Sequence, residues 1–253
     1  MKQKRFVSPA VSLIFLMSVL SMGNLFAQKA PKESPATDFK YDLNEAGDGI
    51  VIQAYLGKGG DVVIPSKIEG YPVVGLKLEI LYNFDISPIT SLIFPDTVTF
   101  IEFAEGAFGT LANSELKKLV LPKNLKIIGE GLFEGAVNLT ELVLPENLEE
   151  IGGSAFTEIG CNTKTGIKSI VFPKKLKKIG ALAFYIGKNI QSITIPESVE
   201  YIGEQAFDFC ENLVSVTMPK KQIEYGYNSF SNCPKLTLKE RKKIKDTGYT
   251  GGF

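Results

Sequence analysis

The chain of 253 residues has no histidine, no tryptophan and only three cysteines. Without histidine there can be no Ser-His-Asp or Cys-His nucleophile pair and no histidine-based metal site. Without tryptophan, any sugar-stacking platform falls to Tyr or Phe. An odd cysteine count argues against a disulfide framework. Neither sign of charge is in excess: 28 Lys and Arg stand against 28 Asp and Glu. The clearly basic surface expected of a nucleic-acid-binding protein is therefore missing.

Long apolar runs are also scarce. The run at Val11–Leu20 follows Lys2, Lys4 and Arg5 and leads into the small-residue stretch Gly23–Ala27. This is the layout of a secretory signal peptide, with cleavage expected after Ala27. The alternative is an uncleaved anchor, disfavoured because Pro9 and nearby serines break the run. Losing those three cations leaves 25 positive against 28 negative charges, still close to neutral. Gln28–Asp38 is charged, contains prolines and has little apolar content, so residues 28–38 read as a flexible linker.

What the chain does have is a period. Pro65, Pro95, Pro122, Pro145, Pro173, Pro196 and Pro219 are separated by 30, 27, 23, 28, 23 and 23 residues. Self-similarity at this spacing means a solenoid, whose units bury their apolar side chains against neighbouring units. Before each proline comes an apolar–any–apolar triplet: Leu119–Leu121, Leu142–Leu144, Ile170–Phe172, Ile193–Ile195. The alternation predicts a short strand with its first and third residues inward, ended by a proline that cannot donate to the ladder. Apolar residues follow the proline, then Ile–Gly (Ile128-Gly129, Ile151-Gly152, Ile179-Gly180, Ile202-Gly203). Each such glycine predicts a corner that needs either positive φ or close backbone approach. Then comes a small residue plus Phe, as in Ala107-Phe108, Ala155-Phe156, Ala183-Phe184 and Ala206-Phe207. Stacked at one position, these rings would form a core spine.

The pattern LxxLxLPxxLxxIGxxAF resembles the leucine-rich repeats of the BspA-like family of bacterial surface proteins, over roughly Gly49 to Leu238. Glu102 replaces the corner glycine in the Pro95 copy, and Gln222 and Tyr225 replace apolar residues in the Pro219 copy. The fold class expected is a leucine-rich-repeat solenoid of the α/β horseshoe class. It would be β-rich with little helix, its short parallel strands stacked in a right-handed coil. One domain, residues 39–253, is expected, with an N-terminal cap at 39–64 and a C-terminal cap at 236–253 in which Leu238 and Ile244 cover the last coil. The resemblance implies an exported, secreted, periplasmic or cell-surface protein that binds host, neighbouring-cell or matrix proteins.

The outward triplet residues Ile93, Val120, Val143 and Val171 should form one column on the outer sheet face. Lys118 and Glu141 lie in a flanking column. An exposed apolar stripe can mark a binding surface, although β-branched residues also favour strands wherever they sit. A second candidate is the loop Thr157–Gly166, an insertion carrying Thr157, Glu158, Asn162 and Lys164, since edge insertions are frequent binding loops. Charges after the prolines alternate in sign from Asp96 to Lys221, which predicts a ladder of ion pairs fixing coil register. Cys210 and Cys233 read as small buried hydrophobes, with a bridge between adjacent coils possible. No catalytic constellation, cofactor or metal is expected. The function expected is a non-enzymatic, adhesin-like protein-binding module; the alternative is a structural component of the cell envelope.

Overall fold

The computed structural model describes residues 31–78, 89–103, 115–162 and 166–253. Its strands in chain order are β1 (Phe39–Leu43), β2 (Ile50–Tyr55), β3 (Gly60–Val63), β4 (Lys67–Ile68), β5 (Tyr71–Leu78) and β6 (Ile89–Ile93). They continue with β7 (Phe100–Phe103), β8 (Lys118–Val120), β9 (Ile127–Ile128), β10 (Glu141–Val143), β11 (Glu150–Ile151) and β12 (Ser169–Val171). The last are β13 (Lys178–Ile179), β14 (Ser192–Thr194), β15 (Tyr201–Ile202), β16 (Ser215–Thr217) and β17 (Glu224–Tyr225), followed by helix α1 (Leu238–Lys245). Together they make a solenoid of about seven turns, with parallel pairing throughout the repeats.

Each coil meets its neighbour through distinct ladders. The proline triplets supply a triplet sheet, in which β3, β6, β8 and β10 pair in sequence order and β12, β14 and β16 form a separate group. The Ile–Gly positions supply a continuous corner ladder from β9 to β17. The Ala–Phe turns add a third set of bonds, in which Phe156, Phe184 and Phe207 donate to Ala183, Ala206 and Ser229 carbonyls at 2.8–2.9 Å. Inside, Phe133, Phe156, Phe184, Phe207 and Phe230 are all buried. Their rings stack with centroids 5.1–5.5 Å apart. That is the expected spine; Phe108 lies outside the described residues. Removing one such ring costs about 3–5 kcal/mol.

The corner glycines resolve a choice left open by the sequence. Their φ is not positive. At Gly152, Gly180 and Gly203 what demands glycine is close approach: a Cβ on Gly180 would lie 2.5 Å from the Gly152 carbonyl carbon, and one on Gly203 would lie 2.3 Å from Ala181 N, whereas one on Gly129 would meet only Ile101 O at 3.9 Å. The left-handed residues fall further along the turn, at Ser154, Leu182, Gln205 and Asn228 (φ 51–57°) and at Glu158, Ile186, Phe209 and Asn232 (φ 49–60°). Few of these are types that favour this region, and Ile186, being β-branched, is the costliest. The bonds of the turn hold it there, with Ile186 N–H donating to Asp208 O at 3.0 Å.

Both ends of the triplet sheet are covered. At the N-terminal end Ser34 donates its N–H to Val63 O (2.8 Å) and accepts Val63 N–H on Oγ (3.1 Å). Glu33 accepts Ser66 N–H at 2.8 Å. Residues 33–38, read from composition as linker, therefore include groups tied to the repeat body. At the other end α1 is capped by Thr237, which accepts Glu240 N–H. Glu240 accepts Val216 N–H at 2.9 Å while Lys243 Nζ donates to Val216 O at 3.2 Å. A carboxylate and an ammonium thus stand where the next strand's backbone would be. Ile244 is buried here as expected, but Leu238 is 85% exposed and caps nothing; Leu236 and Tyr249 fill the core instead. Gln222 is exposed and donates to Asp246 O, while its neighbour Ile223 takes the buried position.

Candidate functional site

The outer column does not lie on one unbroken sheet. β10 ends one group of strands and β12 begins the next, so Val143 and Val171 face each other across an unpaired boundary. The cause is in the chain length. Thr157–Gly160 follows the regular turn, with Glu158 N–H donating to Tyr185 O just as Ile186 does to Asp208 O. The extra residues come after Gly160, immediately ahead of β12. Asn162 N–H and Gly160 N–H bond back to Val137 O and Ala136 O, anchoring the start of the insertion to the preceding coil. Asn189 Nδ2 reaches Gly160 O at 2.7 Å from the following coil.

The hydrogen bonding shows how far the separation runs. Elsewhere the third triplet residue donates to the middle residue of the next coil: Phe94 to Val120, Phe172 to Thr194 and Ile195 to Thr217, at 2.9–3.1 Å. Among the described residues, the corresponding bonds from Leu121 and Leu144, one on each side of β10, are missing. Exposure follows. Val143 is 58% and Val171 68% exposed, while Ile93, Val120 and Thr194 are half-buried. Leu142 and Leu144, expected inward, are only half-buried.

The same boundary is intact on its other sides. β11 pairs with β13 in the corner ladder, and Phe156 stacks on Phe184 at 5.4 Å. At the proline corner it carries a dense side-chain clamp: Lys177–Glu149 at 2.9 Å, Lys178–Glu150 at 2.6 Å and Lys175 Nζ to Asn147 Oδ1 at 2.7 Å. Lys177 hydrogen-bonds Glu149 and holds its carboxyl below the usual range. The expected ladder of alternating charge is therefore not continuous. Among the described residues, Lys123 and Lys126 form no ion pair with Glu146, Glu149 or Glu150, and Lys177 and Lys178 form none with Glu197 or Glu200.

A second irregular boundary lies between β7 and β9, which are also unpaired although β6 and β8 are joined. A groove of about 750 Å³ opens there, lined by Phe100, Glu102, Lys126 and Ile127 among others. The Lys123–Asp96 pair at 2.8 Å spans this boundary too. Ion pairs between coils thus gather where a backbone ladder is missing; among the described residues the remaining one is Lys118–Glu141 at 3.1 Å, beside the column.

Of the loop candidates, Thr157 is committed to structure, its Oγ1 donating to Leu182 O at 2.8 Å. Glu158 is a turn residue whose charge, secondary to burial, helps raise the pKa of Glu134. Asn162 is exposed, and Lys164 lies outside the described residues. Sequence reasoning missed Leu142, Leu144 and Ser169 as lips of an opening. The available signal was the 28-residue step from Pro145 to Pro173, whose extra residues sit directly before a strand. All the cysteines are free; Cys233 Sγ donates to Phe207 O at 3.2 Å, and burial pushes its pKa up to about 12.

Short parallel strands repeated around a phenylalanine spine define a leucine-rich-repeat protein. The description "BspA type Leucine rich repeat region" matches residues 81–160 and 107–237 in 6 copies, and the chain belongs to this family. A T. pallidum leucine-rich repeat protein is 30% identical, with 88% of this chain and 99% of that one covered at a TM-score of 0.75. A leucine rich cell surface protein from Faecalibacterium prausnitzii shares the fold at 22% identity, covering 83% and 55% with a TM-score of 0.63. A leucine-rich repeat protein from Bacteroides ovatus does so at 19%, covering 81% and 70% with a TM-score of 0.52. Among curated proteins none matches the chain. Among the described residues no helix is long and apolar enough to cross a membrane.

Proposed function

We propose that this is an exported, non-enzymatic protein-binding module of the bacterial surface, adhesin-like in role, that meets its partner on the outer face of the triplet sheet around Val143 and Val171. The observation that carries this is the concentration of exposed aliphatic surface at those residues, next to the Lys118–Glu141 pair. Repeat solenoids act through extended surfaces of this kind, and exposed apolar patches rimmed by polar groups mark interaction sites. The signal-like start of the sequence and the surface description of a structural relative agree with export. The alternative of an envelope spacer built by end-to-end stacking fits less well, because Ser34 and the Glu240–Lys243 pair cover both terminal sheet edges.

The test is capture of surface and matrix proteins on the immobilised chain, compared with Val143→Glu and Val171→Glu. Loss of a captured partner, with the melting temperature unchanged, supports the outer face. Unchanged capture shifts the contact to the loop at Asn162.

A further inference from the structure

Sheet edges offer unpaired N–H and C=O groups to any extended chain, and folded proteins normally cover them. Here the terminal edges are covered and, among the described residues, an internal pair is not. On a parallel strand, successive residues direct their backbone groups to opposite sides. Glu141 and Val143 face β8, so Leu142 C=O and Leu144 N–H face the opening. Across it, Phe172 N–H is bonded to Thr194 O, which leaves Val171 N–H and C=O directed back toward β10. These are the donors and acceptors that one further strand, parallel to its neighbours, would satisfy.

We infer that the opening between β10 and β12 is an acceptor site for an extended segment of a partner protein, which adds as a strand of the triplet sheet. The inference rests on the protein-binding reading above and specifies its chemistry. Backbone bonding supplies the affinity, and pockets for alternate side chains supply the choice of sequence. Inward positions of the segment meet Leu142, Leu144 and Ile170, which call for apolar residues. Outward positions lie between Val143 and Val171, where β-branched residues pair well across strands. The partner segment is therefore uncharged at its centre and alternates apolar with β-branched residues. The site is held ready by the Glu149–Lys177 and Glu150–Lys178 pairs at one end and by the Gly160 and Asn162 anchors at the other.

The probe is a fluorescein-labelled octapeptide of alternating valine and threonine with a lysine at each end, titrated by anisotropy against the full chain. A second copy of the peptide is N-methylated at alternate amides, which removes backbone donors without touching the protein. The protein variant is Val171→Pro, which deletes an N–H facing the opening; melting and sedimentation are recorded alongside. Saturable binding is expected, weakened about tenfold or more by N-methylation and by V171P. Absence of binding up to about 1 mM overturns the inference, and so does equal binding of the N-methylated peptide. Should the unmodified chain be a dimer that V171P abolishes, the occupant is a second copy and the partner-segment assignment fails. Peptide binding without any captured partner would leave the strand site standing and remove the protein-binding reading. A captured partner whose affinity ignores V171P would do the reverse.

Discussion

The boundary between the Pro145 and Pro173 coils and the next one, between the Pro173 and Pro196 coils, are built from the same repeat and held together differently. At the second, triplet sheet, corner ladder and turn bonds all close, and no ion pair spans it among the described residues. At the first, the triplet sheet is open, while two ion pairs and the Lys175–Asn147 bond cross it. Where backbone bonding suffices, charged side chains at equivalent positions stay apart. Where an insertion spreads the strands, they make contact. Such exposed pairs are weak and screened by salt, so the first boundary should be the more easily opened.

The largest effect that would sharpen this contrast comes from Phe184, whose ring stacks on Phe156 across the open boundary and on Phe207 across the closed one. Phe184→Ala should cost about 3–5 kcal/mol. It should also split urea unfolding into two steps, because nearest-neighbour coupling carries cooperativity in repeat arrays. A single shifted transition would mean that the two boundaries are equally strong. Next is the cap: Glu240→Ala leaves Val216 N–H without its acceptor and should cost about 1–3 kcal/mol, read as a lower urea midpoint. Burial works to raise the Glu240 pKa, but Lys243 and Val216 N–H outweigh it and hold the carboxyl below its ordinary value. Its contribution is therefore present above the unfolded carboxylate pKa and lost as pH falls through the depressed one.

Smaller effects follow at the clamp. Reversing Lys174, Lys175, Lys177 and Lys178 to glutamate should lower the melting temperature far more at low salt than at about 1 M, where the screening length is short. Equal losses at both would exclude an electrostatic clamp. Glu149 is likewise held below the usual carboxylate range by Lys177, so its pairing is retained at neutral pH and weakens as pH drops through that depressed pKa. Glu200→Gln at the closed boundary, by contrast, should leave stability within about 0.5 kcal/mol of the unmodified protein.

Most of the scaffold was legible in the sequence because its causes are local and repeated. Alternation placed the triplets, proline ended them, and the Ala–Phe register placed the stacked rings. The candidate site was legible only in part. Val143 and Val171 were named as outward residues, yet whether β10 and β12 pair depends on how an insertion is absorbed, and no local pattern encodes that. The left-handed turn residues were missed for a related reason: Leu182, Ile186 and Phe209 are poor choices for that backbone, forced into it by bonds to the next coil. The charge pattern was read as a uniform ladder because sequence shows the sign of each residue but not the spacing between coils.

Native-state hydrogen exchange, resolved to single amides, tests the open boundary most directly. Leu144 and Val171 should exchange close to the rate of an unprotected chain, while Phe172 and Ile195, bonded to Thr194 and Thr217, remain protected by orders of magnitude. Protection of Leu144 and Val171 equal to that of Ile195 would show a closed sheet and contradict the opening on which the proposed binding site depends.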